Sequence, residues 1–125
     1  MDKERVNTLL PIAYQAIKEV KIEKEGKVEK TFRGHISTFG TAIAQGSLLS
    51  AIAFFSEAGG AGVDRTKLLS ALNYMLNPAC DLEQKNNFYA FVSQEIKNGR
   101  EEECKEDVIH AAIALKLAMN LYILD

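Results

Sequence analysis

The sequence has no tryptophan and only two cysteines, two prolines and two histidines in 125 residues. Cys80 and Cys104 are too few for a disulfide framework and lack the CxxC spacing of a zinc or redox motif. A zinc site needs three or four convergent ligands. Cys104, Glu106 and His110 offer at most two on one helix face, and a helix-surface ion pair is the simpler reading of that group. His35, the other histidine, stands near Arg33 with no further ligand type beside it. No GxSxG, HExxH or paired Cys/His motif occurs. Neighbouring carboxylates such as Glu101 and Glu103 belong to an acidic stretch, REEECKED, that suits a positive helix N-terminus. The reading is a protein with no catalytic site, no metal and no cofactor.

Charge is missing from one long window. From Gly34 to Ser56 there is no Lys, Arg, Asp or Glu, although 26% of the chain is charged. The run is long enough for a membrane span. It also holds Gly34, Gly40, Gly46, His35, Gln45 and several Ser and Thr residues, and it lacks a polarised positive flank. A buried central helix is expected instead, and no membrane partner. The N-terminal MDKERVNTLLP carries charges where the apolar part of a secretory signal would begin. With two unpaired cysteines, this favours a reducing cytoplasm.

The length suits one helical domain over residues 1–125, large enough to bury a core without staples. Val6, Leu10, Ala13, Ile17 and Val20 recur at three and four residues and predict an amphipathic helix over 2–24. Pro11 predicts either a kink or a helix start there. KEGKVEK, residues 24–30, reads as an exposed connection. Residues 31–56 predict one long helix with apolar stripes Phe32-Ile36-Phe39-Ile43 and Leu48-Ile52-Phe55, filled in by Leu49 and Phe54. Gly40, Ala44, Ser47 and Ala51 form a small-residue strip suited to close backbone approach, and Gly46 marks a bend. EAGGAGV, residues 57–63, reads as a glycine turn, without the GK[ST] ending of a phosphate loop. Asp64 predicts a helix cap, with the helix running to Asn77 and stopped by Pro78. Asp81 predicts the next cap, with Leu82, Phe88, Phe91, Val92 and Ile96 facing inward and Asn98-Gly99 closing the helix. A last helix is expected over 100–124. No strand alternation is evident. The fold class is all-α, a compact bundle of about five helices around the long central helix.

The formal charge is −2, but residues 1–33 hold eight basic and six acidic groups while the remainder holds seven and eleven. A local basic face can meet phosphates on a chain that is acidic overall. Lys18, Lys21, Lys24, Lys27, Lys30 and Arg33 recur every three or four residues. On a continuous helix they would form a ridge, though Glu19, Glu23, Glu25 and Glu29 fall between them and the pattern equally suits a solvated face. Arg65 and Lys67 add a second basic pair at a helix start, where backbone amides can also meet phosphate. The candidate phosphate-contacting residues are Lys21, Lys24, Lys30, Arg33, Arg65 and Lys67.

The run FRGHISTFGTAIAQGSLLSAIAFFSE, with Phe39-Gly40, a second glycine at Gly46 and then Leu48 to Phe55, resembles the small subunit of type III-B CRISPR effector complexes, the Cmr complexes. The matching residues are Ile43, Gly46, Leu48, Leu49, Ala53 and Phe54. Gly46-Ser47-Leu48 stands where the family has Gly followed directly by Leu, and the last helix lacks the family's frequent Trp. The small subunit of type III-A complexes is similar in design. The resemblance implies a non-catalytic antiviral-defence subunit that stacks with copies of itself in a filament, contacts other effector subunits, and helps hold guide RNA and target RNA together. A helical adaptor that binds only protein is the competing expectation, resting on the small-residue strip and the negative net charge.

Overall fold

The computed structural model describes residues 2–57 and 63–125. Its elements in chain order are α1 (Lys3–Glu19), β1 (Lys27–Val28), α2 (Lys30–Gln45), α3 (Leu48–Phe55), α4 (Thr66–Leu76), α5 (Asn87–Lys97), α6 (Glu101–Met119) and β2 (Ile123–Leu124). The fold is all-α, as expected, with six helices among the described residues rather than about five.

The extra helix comes from the charge-free run, which is two helices and not one. Gly46 closes α2, its N–H bonding to the Ala42 carbonyl at 2.9 Å. Ser47 then opens α3, its Oγ accepting from Ser50 N–H at 3.1 Å. A Cβ at position 46 would lie 3.1 Å from the Ala42 carbonyl oxygen, so glycine suits this closing turn. The break divides the expected small-residue strip: Ala44 and Ser47 are exposed, and only Ala51 is buried. Nor is α2 buried on several sides. It buries Phe32, Ile36, Phe39 and Ile43 on one face. Its other face, with Gly34, Ser37, Thr38, Thr41, Ala44 and Gln45, is exposed and uncharged. Ser37, Thr38 and Thr41 satisfy their hydroxyls by donating to carbonyls one turn back.

The element that the others pack around is α6, which contacts α1, α2, α4 and α5. Its buried side includes Ala111, Ala112, Ala114 and Ala118, and α1 brings Ala13 and Ala16. Small side chains on both helices let their axes approach, and the α1–α6 contact is the most extensive in the fold. Between the helices, Phe39 and Phe55 meet edge to face at 5.2 Å, both fully buried. Each such side chain contributes on the order of 2–3 kcal/mol on leaving water.

Other boundaries also differ from the expectation. Helix α1 runs through Pro11 and ends at Glu19, not near residue 24. Pro11 sits on the exposed face. Helix α5 begins at Asn87, and Asp81 caps only a turn, accepting from Glu83 N–H at 3.0 Å. Leu82 is exposed. Asn87 Oδ1 explains the late start: it accepts from Asn73 Nδ2, Asn77 Nδ2 and Asp81 N–H, which ties the 77–87 connection to α4. Helix α6 stops at Met119, and β2 pairs in parallel with β1 through Lys27–Ile123 and Val28–Leu124, a short sheet where no strand was expected. The glycine turn expected over 57–63 falls on residues 58–62, which lie outside the described residues.

Among the described residues, no helix is long and apolar enough to cross a membrane.

Candidate nucleic-acid interface

The basic residues between α1 and α2 do not form a helical ridge, because α1 ends before them. The ending is a Schellman turn. Lys21 N–H bonds to the Lys18 carbonyl at 3.1 Å and Ile22 N–H to the Ile17 carbonyl at 3.0 Å. Ile17 and Ile22 are both buried beneath it. The left-handed residue in such a turn is usually glycine, as Gly99 is at the end of α5 with φ 77°. Here it is Lys21, with φ 62°. Two residues later the chain reverses again. Lys24 and Lys27 exchange backbone hydrogen bonds at 2.9 and 3.0 Å around Glu25 and Gly26, both at positive φ. This is the turn that favours glycine at its second central position. The Glu23 carboxylate accepts from Gly26 N–H and steadies it.

These two turns and α4 enclose a cleft of about 320 Å³ lined by Lys21, Lys24, Lys27 and Lys67. Ile22, Phe32 and Val63 contribute apolar lining, all three buried. Lys67 reaches across from α4, its Nζ donating to the Lys21 carbonyl at 3.1 Å. Glu29, Asp64 and Asp125 also line the cleft. Among the described residues, none of the four lysines makes an ion pair; the pairs formed are Arg5–Asp107 and Arg100–Glu95. The cleft lining therefore brings four lysines together with Glu29, Asp64 and Asp125, and no ion pair joins them among the described residues.

Of the six candidate residues, Lys21, Lys24 and Lys67 come together in this cleft, and Lys30, Arg33 and Arg65 do not line it. Lys30 starts α2 on the surface, its N–H bonded to the Asp125 carbonyl at 3.3 Å. Arg33 is half-buried, with an Nε that has no hydrogen-bond partner. Arg65 is engaged inside the chain: Nε donates to the Glu57 carbonyl and Nη2 to the Phe54 carbonyl, each at 2.9 Å. Lys27 is the cleft residue that the candidate set left out, although it belongs to the same three-and-four repeat. The amides at the α4 start are also taken. Thr66 N–H donates to Asp64 Oδ1, Lys67 N–H to the Asp64 carbonyl and Leu68 N–H to the Arg65 carbonyl.

The histidines occupy other places. His110 Nε2 accepts from Asp2 N–H at 3.1 Å, so it helps fix the start of α1 and not an ion pair with Glu106. The His35 ring meets Phe55 edge-on at 6.4 Å, and its buried Nε2 has no partner. No group of three or more His, Cys, Asp or Glu residues able to hold a metal occurs among the described residues.

The family model described as CRISPR-associated protein (Cas_Cmr5) matches residues 7–118. The match takes in every helix, missing only the first residues of α1 and the last of α6. The chain belongs to this family. It is the type III-B small-subunit family that the charge-free run resembles, and membership places the chain in a CRISPR type III complex, alongside its other subunits. Comparison with curated proteins and with solved structures gives no match. The residues said to carry the resemblance are divided by the fold: Ile43 and Leu48 are buried, while Ala53 and Phe54 are exposed.

Proposed function

We propose that this chain is a non-catalytic small subunit that helps hold guide and target RNA through phosphate contacts in the Lys21-Lys24-Lys27-Lys67 cleft. In this reading it stacks with copies of itself along the effector complex, in a single cytoplasmic domain serving antiviral defence. The observation that carries it is Lys21. A lysine in the left-handed position of a Schellman turn costs about 1 kcal/mol that glycine would avoid. Among the described residues its charge is not used in an ion pair, and three other lysines converge beside it. Unpaired ammonium groups around a cleft suit phosphate, which positions a nucleic acid without reading its sequence. Lys30 and Arg33 would extend such contacts beyond the cleft.

The test is reconstitution of the effector complex with and without the chain. RNA affinity should fall when the chain is left out, and the fall should be larger at low salt, where phosphate contacts are strongest. Unchanged affinity at every salt concentration would favour the second reading, an adaptor that touches only protein. The uncharged, small-residue face of α2 supports that alternative, because the centres of protein interfaces are depleted of charge.

A further inference from the structure

We infer that Phe54 and Arg65 form a stacking site for an unpaired RNA base, separate from the lysine cleft. The inference rests on the RNA-binding reading above but uses different residues and a different physical force. Helix α3 buries Leu48, Ala51, Ile52 and Phe55, yet Phe54 remains 59% exposed. Its ring is held in place. The Arg65 guanidinium carbon lies 4.5 Å from the Phe54 ring centre and 5.1 Å from that of Phe55, and the two rings meet at 69°. The guanidinium is itself anchored by its two bonds to the Phe54 and Glu57 carbonyls. The result is a largely exposed aromatic ring with a fixed, planar cation over one face.

A nucleobase suits this surface because every base has a π face, and an arginine alongside adds attraction. The remaining donors of Arg65 favour RNA over an apolar protein partner. A guanidinium has five N–H groups, and two of them are bonded among the described residues. An apolar partner seated on Phe54 would bury the other three without acceptors, which is unfavourable. RNA supplies phosphate, ribose or base oxygens to meet them. Arg65 immediately precedes α4 and Lys67 lies in its first turn, so the platform and the cleft share one end of that helix.

The test uses the assembled effector complex carrying full-length chain, with oligouridine and an abasic ribose-phosphate oligomer of equal length as probes. Phe54→Ala should lower oligouridine affinity roughly tenfold, leave the salt dependence unchanged and leave the abasic oligomer unaffected. Phe54→Trp should restore the loss. An equal loss on both probes, or no loss on either, would overturn the stacking site. So would failure of the Phe54→Ala chain to enter the complex, since that identifies Phe54 as a protein contact. Lys67→Glu measured in parallel separates the two proposals. If it weakens binding while Phe54→Ala does not, only the stacking site falls; if neither weakens binding, both fall.

Discussion

Lys67 donates from Nζ to the backbone carbonyl of Lys21 at 3.1 Å, so one lysine of the cleft steadies the turn that presents another. Replacing Lys67 by methionine keeps the stem and removes the donor and its charge. The hydrogen bond lies near the surface, so stability should fall by about 0.5–1 kcal/mol, measured by urea unfolding. RNA binding by the complex should fall more clearly. Lys67→Arg, which keeps charge and donors, should retain most of it.

Lys21 offers the converse separation. Lys21→Gly relieves the left-handed backbone but frees the unfolded chain, two effects of about 1 kcal/mol that oppose each other. Stability should therefore change by less than about 1 kcal/mol, while RNA affinity falls through loss of the charge. A stable chain with weakened binding is the expected outcome, read from denaturant unfolding and RNA titration on the same variant.

Asn87 holds the 77–87 connection. Its Oδ1 is 2.9 Å from Asn73 Nδ2, 3.2 Å from Asn77 Nδ2 and 2.8 Å from Asp81 N. Asn73 and Asn77 are buried, so losing this acceptor leaves buried donors unsatisfied. Asn87→Ala should cost about 2–3 kcal/mol, and amide exchange should speed up first around residues 77–87.

Cys104 is buried on α6 against α1 and α5, and burial, reinforced by Glu95 and Asp107, pushes its thiol up from 9.0 to about 11. The folded value lies above the unfolded one, so its contribution to stability is full below about pH 9 and is lost as pH rises through about 11. The stability difference between the wild-type chain and Cys104→Ala should therefore shrink between about pH 9 and about pH 11. At neutral pH, Cys104 should react with thiol reagents only on unfolding, and more slowly than the half-buried Cys80.

The helix ends marked by one strong local residue were legible in the sequence. Asn77 before Pro78 ends α4, and Asn98-Gly99 ends α5, as their chemistry dictates. The break at 46–47 was partly legible, since Gly46 was read as a bend. The spacing places Ser47 in a small-residue strip, whereas in the fold it is a helix cap. The α5 start was hidden because Asp81 and Leu82 carry the right residue types for a cap and an inward face. Asn87 and two asparagines of α4 decide that boundary, and local sequence does not reveal such a contact. The same applies to the basic residues. Their three-and-four spacing suggested a ridge on one helix, yet two turns and a lysine 46 positions away in the chain bring Lys21 and Lys67 together. Arg65 looked equally available, but its guanidinium closes the end of α3, a role visible only once the Phe54 and Glu57 carbonyls are in place.

The lysine cleft is tested most directly by reversing Lys21, Lys24 and Lys67 to glutamate together and measuring RNA affinity of the assembled complex across a salt series. The lysines are exposed or half-buried, so the variant should fold and enter the complex. The account predicts at least roughly tenfold weaker binding at low salt, with a salt dependence shallower by on the order of one unit or more. Unchanged affinity and an unchanged slope in a folded, incorporated variant would contradict it.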